Sequence, residues 1–181
     1  MSNNSHQLHV TIGNIFKKAL PEGYKLIKDE AGGGRQRIPL FTSKEKSRET
    51  WYCDVDLLIL KDDKIKIIVE IEESNLGPTQ VCGKFLTSAL TRYYIHKKND
   101  DKLIEMNDSV TFIQIMDTEK LNIQGTKKFK QWENIEKSIN AILPVKGRKI
   151  KKYGLFHGSV SDFKDKEYAQ ELMDFIKNAC T

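Results

Sequence analysis

Residues Cys53 to Ser74 read CDVDLLILKDDKIKIIVEIEES, and this stretch decides the fold. Two apolar runs rich in β-branched residues flank the pair Asp62-Asp63, which predicts a β-hairpin. The outer ends of both runs are acidic: Asp54 and Asp56 precede the first, and the second ends in Glu70-Ile71-Glu72-Glu73. Carboxylates gathered at one end of an apolar hairpin are costly unless a proton or a cation neutralises them. They are therefore the first candidates for a functional site.

The pairing register of the hairpin determines which acids share a face. With a two-residue loop, Asp56 pairs with Val69 and points away from Glu70. With a three-residue loop or an equivalent bulge, Asp56 pairs with Glu70 and Asp54 with Glu72, and paired residues lie on the same side. The hydrophobic pattern favours this second register, because it leaves one face wholly apolar. That face is predicted to hold Val55, Leu57, Ile59, Ile65, Ile67, Val69 and Ile71.

The rest of the chain alternates between helical and strand patterns. The apolar spacing predicts helices near 8–19, 79–97, 128–142 and 162–178, and strands near 24–28, 52–60, 65–72, 109–117 and 153–159. A polar, glycine-rich connection runs from 31 to 50. This order predicts a single α/β domain over 1–181, with a central mixed sheet of four to five strands flanked by helices.

Composition and charge exclude several classes of protein. The chain has 181 residues, 39% of them hydrophobic, which suits one globular core. No apolar run approaches the ~20 residues of a membrane span, and the N-terminus lacks a secretory signal pattern, so we expect a cytoplasmic protein with no membrane partner. Three isolated cysteines argue against structural zinc and against a disulfide framework.

The net charge of +5 is compatible with a nucleic-acid partner without requiring one. Basic residues cluster at 32–37, 126–130 and 146–152, and a solvated loop is an equally good interpretation of each cluster. The candidate DNA contacts in these clusters are Arg35, Arg37, Lys128 and Lys149.

Asp56, Glu70 and Glu72 on one sheet face would suit a hard cation such as Mg²⁺, Mn²⁺ or Ca²⁺, which prefer oxygen ligands. The alternative is that these acids are solvated at a strand end or paired with a basic residue. The basic residues considered for such pairing are Lys66, Lys84 and Arg92.

Residues outside the hairpin can also reach this cluster. An upstream acid, Asp29 or Glu30, is one candidate. His6 and His9 have helical i, i+3 spacing, which is compatible with a metal site but is more often a solvated helix surface.

The succession of Asp56, a hydrophobic hairpin, Glu70-Ile71-Glu72 and a helix resembles the PD-(D/E)XK nuclease superfamily. The resemblance covers roughly residues 50–117 and implies a restriction-endonuclease-like fold. It also implies that Asp56, Glu70 and the carbonyl of Ile71 are ligands of Mg²⁺, with Mn²⁺ as an alternative. The activity implied is that of a metal-dependent endonuclease that hydrolyses DNA phosphodiester bonds by in-line attack of water.

Two positions depart from the family pattern. No proline precedes Asp56, and Glu72 stands where the family has a lysine that orients or deprotonates the attacking water. A subset of type II restriction endonucleases has glutamate there, and this chain is similar to that subset. Glu72 would then be a general base or a ligand of a second metal. Alternatively, the lysine function has moved to Lys84 on the following helix, although a surface lysine is the favoured interpretation of Lys84.

The resemblance implies a type II, site-specific restriction endonuclease. Cleavage of double-stranded DNA by a small domain implies a homodimer whose two-fold axis matches a palindromic site. Two alternatives stay open. One is a repair or structure-specific nuclease of the same fold, and the other is a non-catalytic module that binds nucleic acid or protein.

Overall fold

The computed structural model describes residues 6–74, 76–121 and 126–181. The helices are α1 (Gln7–Ala19), α2 (Pro78–Leu90), α3 (Lys128–Ile142), α4 (Val160–Lys164) and α5 (Lys166–Cys180). The strands are β1 (Tyr24–Lys28), β2 (Pro39–Phe41), β3 (Trp51–Asp54), β4 (Leu57–Lys61), β5 (Lys64–Glu72), β6 (Tyr93–Tyr94), β7 (Ile104–Asp117) and β8 (Ile150–Gly158).

The predicted α/β architecture with a mixed sheet is confirmed, but the sheet has eight strands rather than four to five. Strands β1, β4 and β5 are antiparallel neighbours, and β5, β7 and β8 pair in parallel. A ribbon of β6, β2 and β3 joins the beginning of β7 through Ile104 and Glu105. The strand count was wrong because the ribbon strands have only two to four residues each, too few to show a period in the sequence.

The hairpin of β4 and β5 has the predicted register, reached through a bulge. Asp62 and Asp63 form a two-residue turn with φ values of 51° and 56°, a left-handed conformation that aspartate tolerates. Lys66 is then an extra residue on β5, because Leu60 pairs with Ile65 whereas the next pair is Ile59 with Ile67.

Beyond the bulge Leu57 pairs with Val69, where the ladder ends, and the N–H of Asp56 donates to the Val69 carbonyl. The predicted pair of Asp56 with Glu70 is therefore not part of the ladder. The predicted apolar face is correct at Leu57, Ile59, Ile67, Val69 and Ile71. It is wrong at two positions, which belong to the opposite core. Ile65 lies before the bulge, and Val55 lies where the chain turns between β3 and β4.

Helices cover both faces of the sheet, which makes three layers. Helices α1, α4 and α5 pack on one face, around Ile12, Phe16 and Leu172. Helices α2 and α3 pack on the other, where Phe85 and Trp132 are buried. None of the helices in the described ranges is long and apolar enough to cross a membrane.

Two predicted helices have different limits. The helix predicted over 79–97 ends at Leu90, because the N–H and the hydroxyl of Thr91 both donate to the Ser88 carbonyl and the following aromatic residues form β6. The helix predicted over 162–178 is broken at Asp165, whose carboxylate caps α5 by accepting from the N–H groups of Glu167 and Tyr168.

Three predicted strands also have different limits. The run predicted over 52–60 is divided into β3 and β4, because Val55 donates its N–H to the carbonyl of Ile38, which precedes β2, whereas Asp56 donates to Val69 on β5. Strand β7 begins five residues before the predicted 109 and pairs with the β6 ribbon there. The predicted strand over 153–159 is β8, shifted to Ile150–Gly158.

The glycine-rich segment after β1 is a hydrogen-bonded turn. The N–H of Gly32 donates to the Asp29 carboxylate at 2.7 Å, and the N–H of Gly34 donates to the Asp29 carbonyl at 2.6 Å. A Cβ on Gly34 would lie 1.7 Å from the carbonyl oxygen of Lys28. Only glycine permits this close approach of two backbone segments, and the approach fixes the position of Asp29.

We predict that Gly34→Ala destabilises the protein by roughly 1–3 kcal/mol or more, because the backbone of the turn must move. Gly83→Ala on α2 is the matched control. A Cβ there meets nothing within 4 Å, so alanine should stabilise the helix by up to about 1 kcal/mol. Denaturant unfolding of the two variants measures both effects. A Gly34→Ala protein as stable as wild type would contradict the tight packing of this turn.

Candidate active site

The acidic residues meet at one edge of the sheet because of strand direction. Strand β4 runs antiparallel to β5, so the residue that precedes β4 lies beside the end of β5. Asp56 precedes β4, and Glu70 and Glu72 close β5. Strand β7 is parallel to β5 and brings Gln114 beside Glu70. The predicted association of Asp56 with Glu70 and Glu72 is therefore present in the fold.

Glu70 and Glu72 are buried beneath α2, with 2% and 4% of their surface exposed. Lys84 from α2 lies between them, with Nζ 3.2 Å from Glu70 Oε2 and 2.7 Å from Glu72 Oε1. Lys84 is partly exposed, with 40% of its side chain accessible, and it pairs with both glutamates, which is the predicted alternative in which a basic residue neutralises these acids. Pro78 begins α2, and Lys84 follows about two turns later on the side that faces the sheet edge.

Burial and neighbouring charge act together on these three groups. Burial raises the pKa of Glu70 well above its usual value, and the nearby Asp56 carboxylate raises it further against the opposing effect of Lys84. Burial also raises the pKa of Glu72, while Lys84 counteracts the shift. For Lys84, burial works against the charged form, but both glutamates outweigh it and the pKa is raised. The lysine is therefore an ammonium ion held between carboxylates.

Gln114 lies beside Glu70 on the next strand and was not predicted. Its amide donates to the Val81 carbonyl at 3.4 Å and accepts from the Tyr153 hydroxyl at 2.8 Å. A buried amide needs such partners, since an unpaired polar group in a core is costly. The available signal was a single glutamine inside the apolar run of β7.

Asp56 is anchored to the backbone at the edge of β5. Its Oδ2 accepts from the N–H of Ile71 at 2.6 Å, and its own carbonyl accepts from the N–H of Asp29 at 2.9 Å. The N–H and C=O of one strand residue point to the same edge, so the Ile71 carbonyl is directed toward Asp56 as well. The Asp56 carboxylate and the Ile71 carbonyl, two of the expected metal ligands, are therefore directed toward the same position.

On the opposite face of the sheet, α1 adds histidine to the site. His9 is buried, with Nε2 3.6 Å from Asp56 Oδ1 and Nδ1 3.3 Å from Glu73 Oε1. His6 is exposed and lies 3.0 Å from the other oxygen of Glu73. The preference for a solvated histidine pair was therefore wrong for His9. Glu73 points away from Glu72, as strand alternation predicts.

The pKa values of the groups on the α1 side of the sheet are also shifted, by burial and by the neighbouring carboxylates. Burial lowers the pKa of His9, but the Asp56 and Glu73 carboxylates outweigh it, so the pKa is raised. Burial raises the pKa of Asp29, although a hydrogen bond from the N–H of Gly32 opposes the shift. The sequence offered two upstream acids that could reach the cluster, and Asp29 is the one whose carboxylate lies beside Asp56.

The donor set fits a divalent cation. Within the described ranges, His9, Asp29 and Asp56 bring one donor atom each to within 4.8 Å of one another, as do His6, His9 and Glu73. Oxygen donors with an added imidazole suit Mg²⁺ and Mn²⁺, and Mn²⁺ accepts nitrogen more readily. Neither group includes Glu70 or Glu72, whose carboxylates are paired with Lys84. Of the carboxylates in the predicted ligand set of Asp56, Glu70, Ile71 and Glu72, only Asp56 therefore belongs to a metal-sized cluster in the described ranges.

A cleft of about 510 Å³ opens beside Asp56. Among its lining residues are Asp29, Asp54, Arg37 and His6. Asp54 was predicted to pair with Glu72, and this was wrong, since Asp54 pairs with Pro39 in the β2–β3 ribbon. Its carboxylate instead accepts from the Arg37 guanidinium in a salt bridge.

The other candidate DNA contacts lie at different distances from this cleft. Arg35 is exposed in the glycine-rich segment, close to Arg37. Lys128 begins α3 and donates to the Leu76 carbonyl at 3.0 Å. Lys149 pairs with Asp108 at 2.5 Å near the beginning of β7, toward the opposite end of the sheet from Gln114. The fold brings only Arg35 and Arg37 near the acidic cleft.

No protein-family model, no curated protein and no solved structure shows significant similarity to this chain. Its function is therefore inferred from the geometry of the site and from the motif.

We predict that Lys84→Met destabilises the protein at neutral pH, because Glu70 and Glu72 lose their cation while they stay buried. The expected cost is about 1–3 kcal/mol, below that of a fully buried pair because Lys84 is partly exposed. The raised pKa values of both glutamates fix the sign of the pH dependence. The cost is greatest above those pKa values and disappears as falling pH protonates the carboxyl groups.

Urea unfolding of wild type and Lys84→Met across a pH series measures this dependence. Lys130→Met, which removes an exposed ion pair with Glu133, is the matched control and should change stability little at any pH. A cost for Lys84→Met that is the same at low and neutral pH would contradict the charge explanation.

Proposed function

We propose that this chain is a metal-dependent DNA endonuclease of the PD-(D/E)XK type, with its active site at Asp56, Glu70, Glu72 and Lys84. The observation that carries the proposal is the position of Lys84. Its Nζ lies within 3.2 Å of Glu70 and 2.7 Å of Glu72. The cation that the motif lacks at position 72 is thereby supplied from α2. This favours a working variant of the motif over a fold that has lost its chemistry.

Asp56 and the Ile71 carbonyl would hold the Mg²⁺ or Mn²⁺ ion together with Asp29 and His9, whose donor atoms lie within 4.8 Å of that of Asp56, and the resemblance adds Glu70 as a further ligand. When bound, the ion supplies Lewis acidity that neutralises phosphodiester charge and favours deprotonation of an attacking water. Burial, and after it the neighbouring Asp56 carboxylate, raises the pKa of Glu70, and a bound cation would offset both effects.

The protein groups have separable roles in hydrolysis. Glu70 holds the lysine on one side, and Glu72 holds it on the other, so the ammonium ion has a fixed position. A fixed cation beside the scissile phosphate stabilises the charge that develops in the transition state. Glu72, held by Lys84, would then accept the proton of the attacking water.

The more specific proposal is that the chain is a restriction endonuclease, and it follows from the resemblance to the type II enzymes. In that form the chain acts on double-stranded DNA as a homodimer and cuts at a palindromic site. A structure-specific nuclease is the second candidate. A specific feature favours it, because an aromatic and basic cleft adjoins the acidic one.

We predict that Glu70→Gln reduces Mg²⁺-dependent nicking of supercoiled plasmid by at least about 10²-fold. The same variant should be no less stable than wild type without metal, because it removes a buried carboxylate whose pKa is raised. Glu133→Gln, an exposed acid on α3, is the control and should leave both properties unchanged. Wild-type rates for Glu70→Gln would show that the active site lies elsewhere.

The two forms of the enzyme give different products from the same plasmid. We predict either discrete bands, which a site-specific restriction enzyme produces, or cleavage confined to nicked, branched or frayed DNA, which a structure-specific enzyme produces. Gel electrophoresis after incubation with Mg²⁺ and separately with Mn²⁺ distinguishes them. Intact DNA under every condition, with DNA binding retained, would leave only the non-catalytic module.

A further inference from the structure

A second cleft of about 600 Å³ lies next to the acidic one. Its lining includes basic and aromatic side chains, those of Arg37, Phe41, Lys46, Arg48, Trp51 and Lys97. Arg37 and Asp54 line both clefts, so the two spaces share a wall. Trp51 and Asp56 are five residues apart, which limits their Cα separation to roughly 17 Å. One short oligonucleotide can therefore reach both clefts.

Trp51 presents an aromatic surface in this second cleft. Its side chain is exposed, at 39%, whereas the other tryptophan, Trp132, is 1% exposed. The indole N–H donates to the Cys53 carbonyl at 3.1 Å, which holds the ring in place, and the Arg37 guanidinium lies 5.1 Å from the ring centroid. Tyr52, the next residue, is 48% exposed. Nucleobases stack on such rings regardless of sequence.

The cleft also carries positive charge that the protein does not neutralise. Arg37 pairs with Asp54, and Lys46 pairs with Asp101 at 2.5 Å. The side chains of Arg48 and Lys97, in contrast, form no ion pair with any residue in the described part of the chain. An exposed ring beside free cations is the combination by which proteins bind single-stranded nucleic acid.

We propose that this cleft binds an unpaired segment of DNA, with a base stacked on Trp51 and the backbone near Arg48 and Lys97. A base inside a duplex has both faces covered by its neighbours, so only an unpaired base can stack on the ring. The inference rests on the proposed function in one respect: the bound strand continues past Arg37 to Asp56, where it is cut. The substrate class is then DNA with a single-stranded or frayed segment at the cleavage site.

The test measures binding without metal, so that it is independent of cleavage. Fluorescein-labelled dT12 is titrated with the full chain in EDTA and followed by anisotropy, and tryptophan emission is recorded with unlabelled dT12. We expect dT12 to quench the exposed Trp51 and to bind more tightly than a fully paired 12-base-pair duplex. Trp51→Ala should weaken dT12 binding about 5- to 100-fold, whereas Trp51→Phe, which keeps a ring, should largely restore it.

Charge and fold controls accompany the tryptophan variants. Arg48→Ala and Lys97→Ala should each reduce the salt dependence of dT12 binding, since each removes one phosphate contact. Tyr168→Ala removes an aromatic residue of similar exposure on α5 and should leave binding unchanged. Because Arg48 and Lys97 are exposed, their variants test the cleft even where Trp51→Ala fails to fold.

The outcomes separate this inference from the proposed function. If dT12 binding depends on Trp51, Arg48 and Lys97 as expected but the wild-type protein cleaves no DNA with any divalent ion, the binding cleft stands and the nuclease proposal fails. If the protein cleaves DNA while Trp51→Ala, Arg48→Ala and Lys97→Ala all bind dT12 like wild type, the nuclease stands and the cleft proposal is overturned. Tighter binding of the duplex than of dT12 also overturns it.

Discussion

One extra residue in a β-hairpin governs the arrangement of this protein. The turn at Asp62-Asp63 alone would place Asp56 opposite Val69, and the Lys66 bulge shifts the register by one. Since side chains alternate along a strand, that shift moves every residue of the hairpin relative to its partner. Leu57, Val69 and their neighbours then face α1 and α5 as an uninterrupted apolar surface. The same shift fixes where the ladder ends and leaves Asp56 at the sheet edge, bonded to the N–H of Ile71, so the core and the candidate site depend on one structural feature.

The site that results is poorly neutralised. Glu70 and Glu72 are nearly fully buried, and Lys84 offsets only part of their charge. A core evolved for stability alone would place apolar side chains here, because buried ion pairs seldom outweigh the cost of desolvation. Gln114 adds a further buried polar group with its own partners. Such a costly arrangement is typical of functional sites, where perturbed pKa values gather.

The limits of sequence-based prediction here have physical causes. The hairpin register was predictable because period-two alternation makes a one-residue error visible across many residues. The two-residue strand β6 and the three-residue strand β2 were not, because their pairing depends on contacts between distant segments. Lys84 and His9 were candidates on their helices, but a helix pattern does not show which sheet edge the helix will cover. Gln114 was missed because one polar residue in a buried strand carries no period.

The same charge that suits a metal ion makes an anionic substrate hard to admit. In the proposed complex, DNA phosphates would approach a site that already holds five carboxyl groups, those of Asp29, Asp56, Glu70, Glu72 and Glu73. Arg37 lies at the wall between the two clefts and covers Asp54 with its guanidinium, so the path from the basic cleft to Asp56 begins at a neutralised carboxylate. A strand whose base is stacked on Trp51 would pass this pair before it reaches Asp56, which offsets part of the repulsion where the strand enters the acidic cleft.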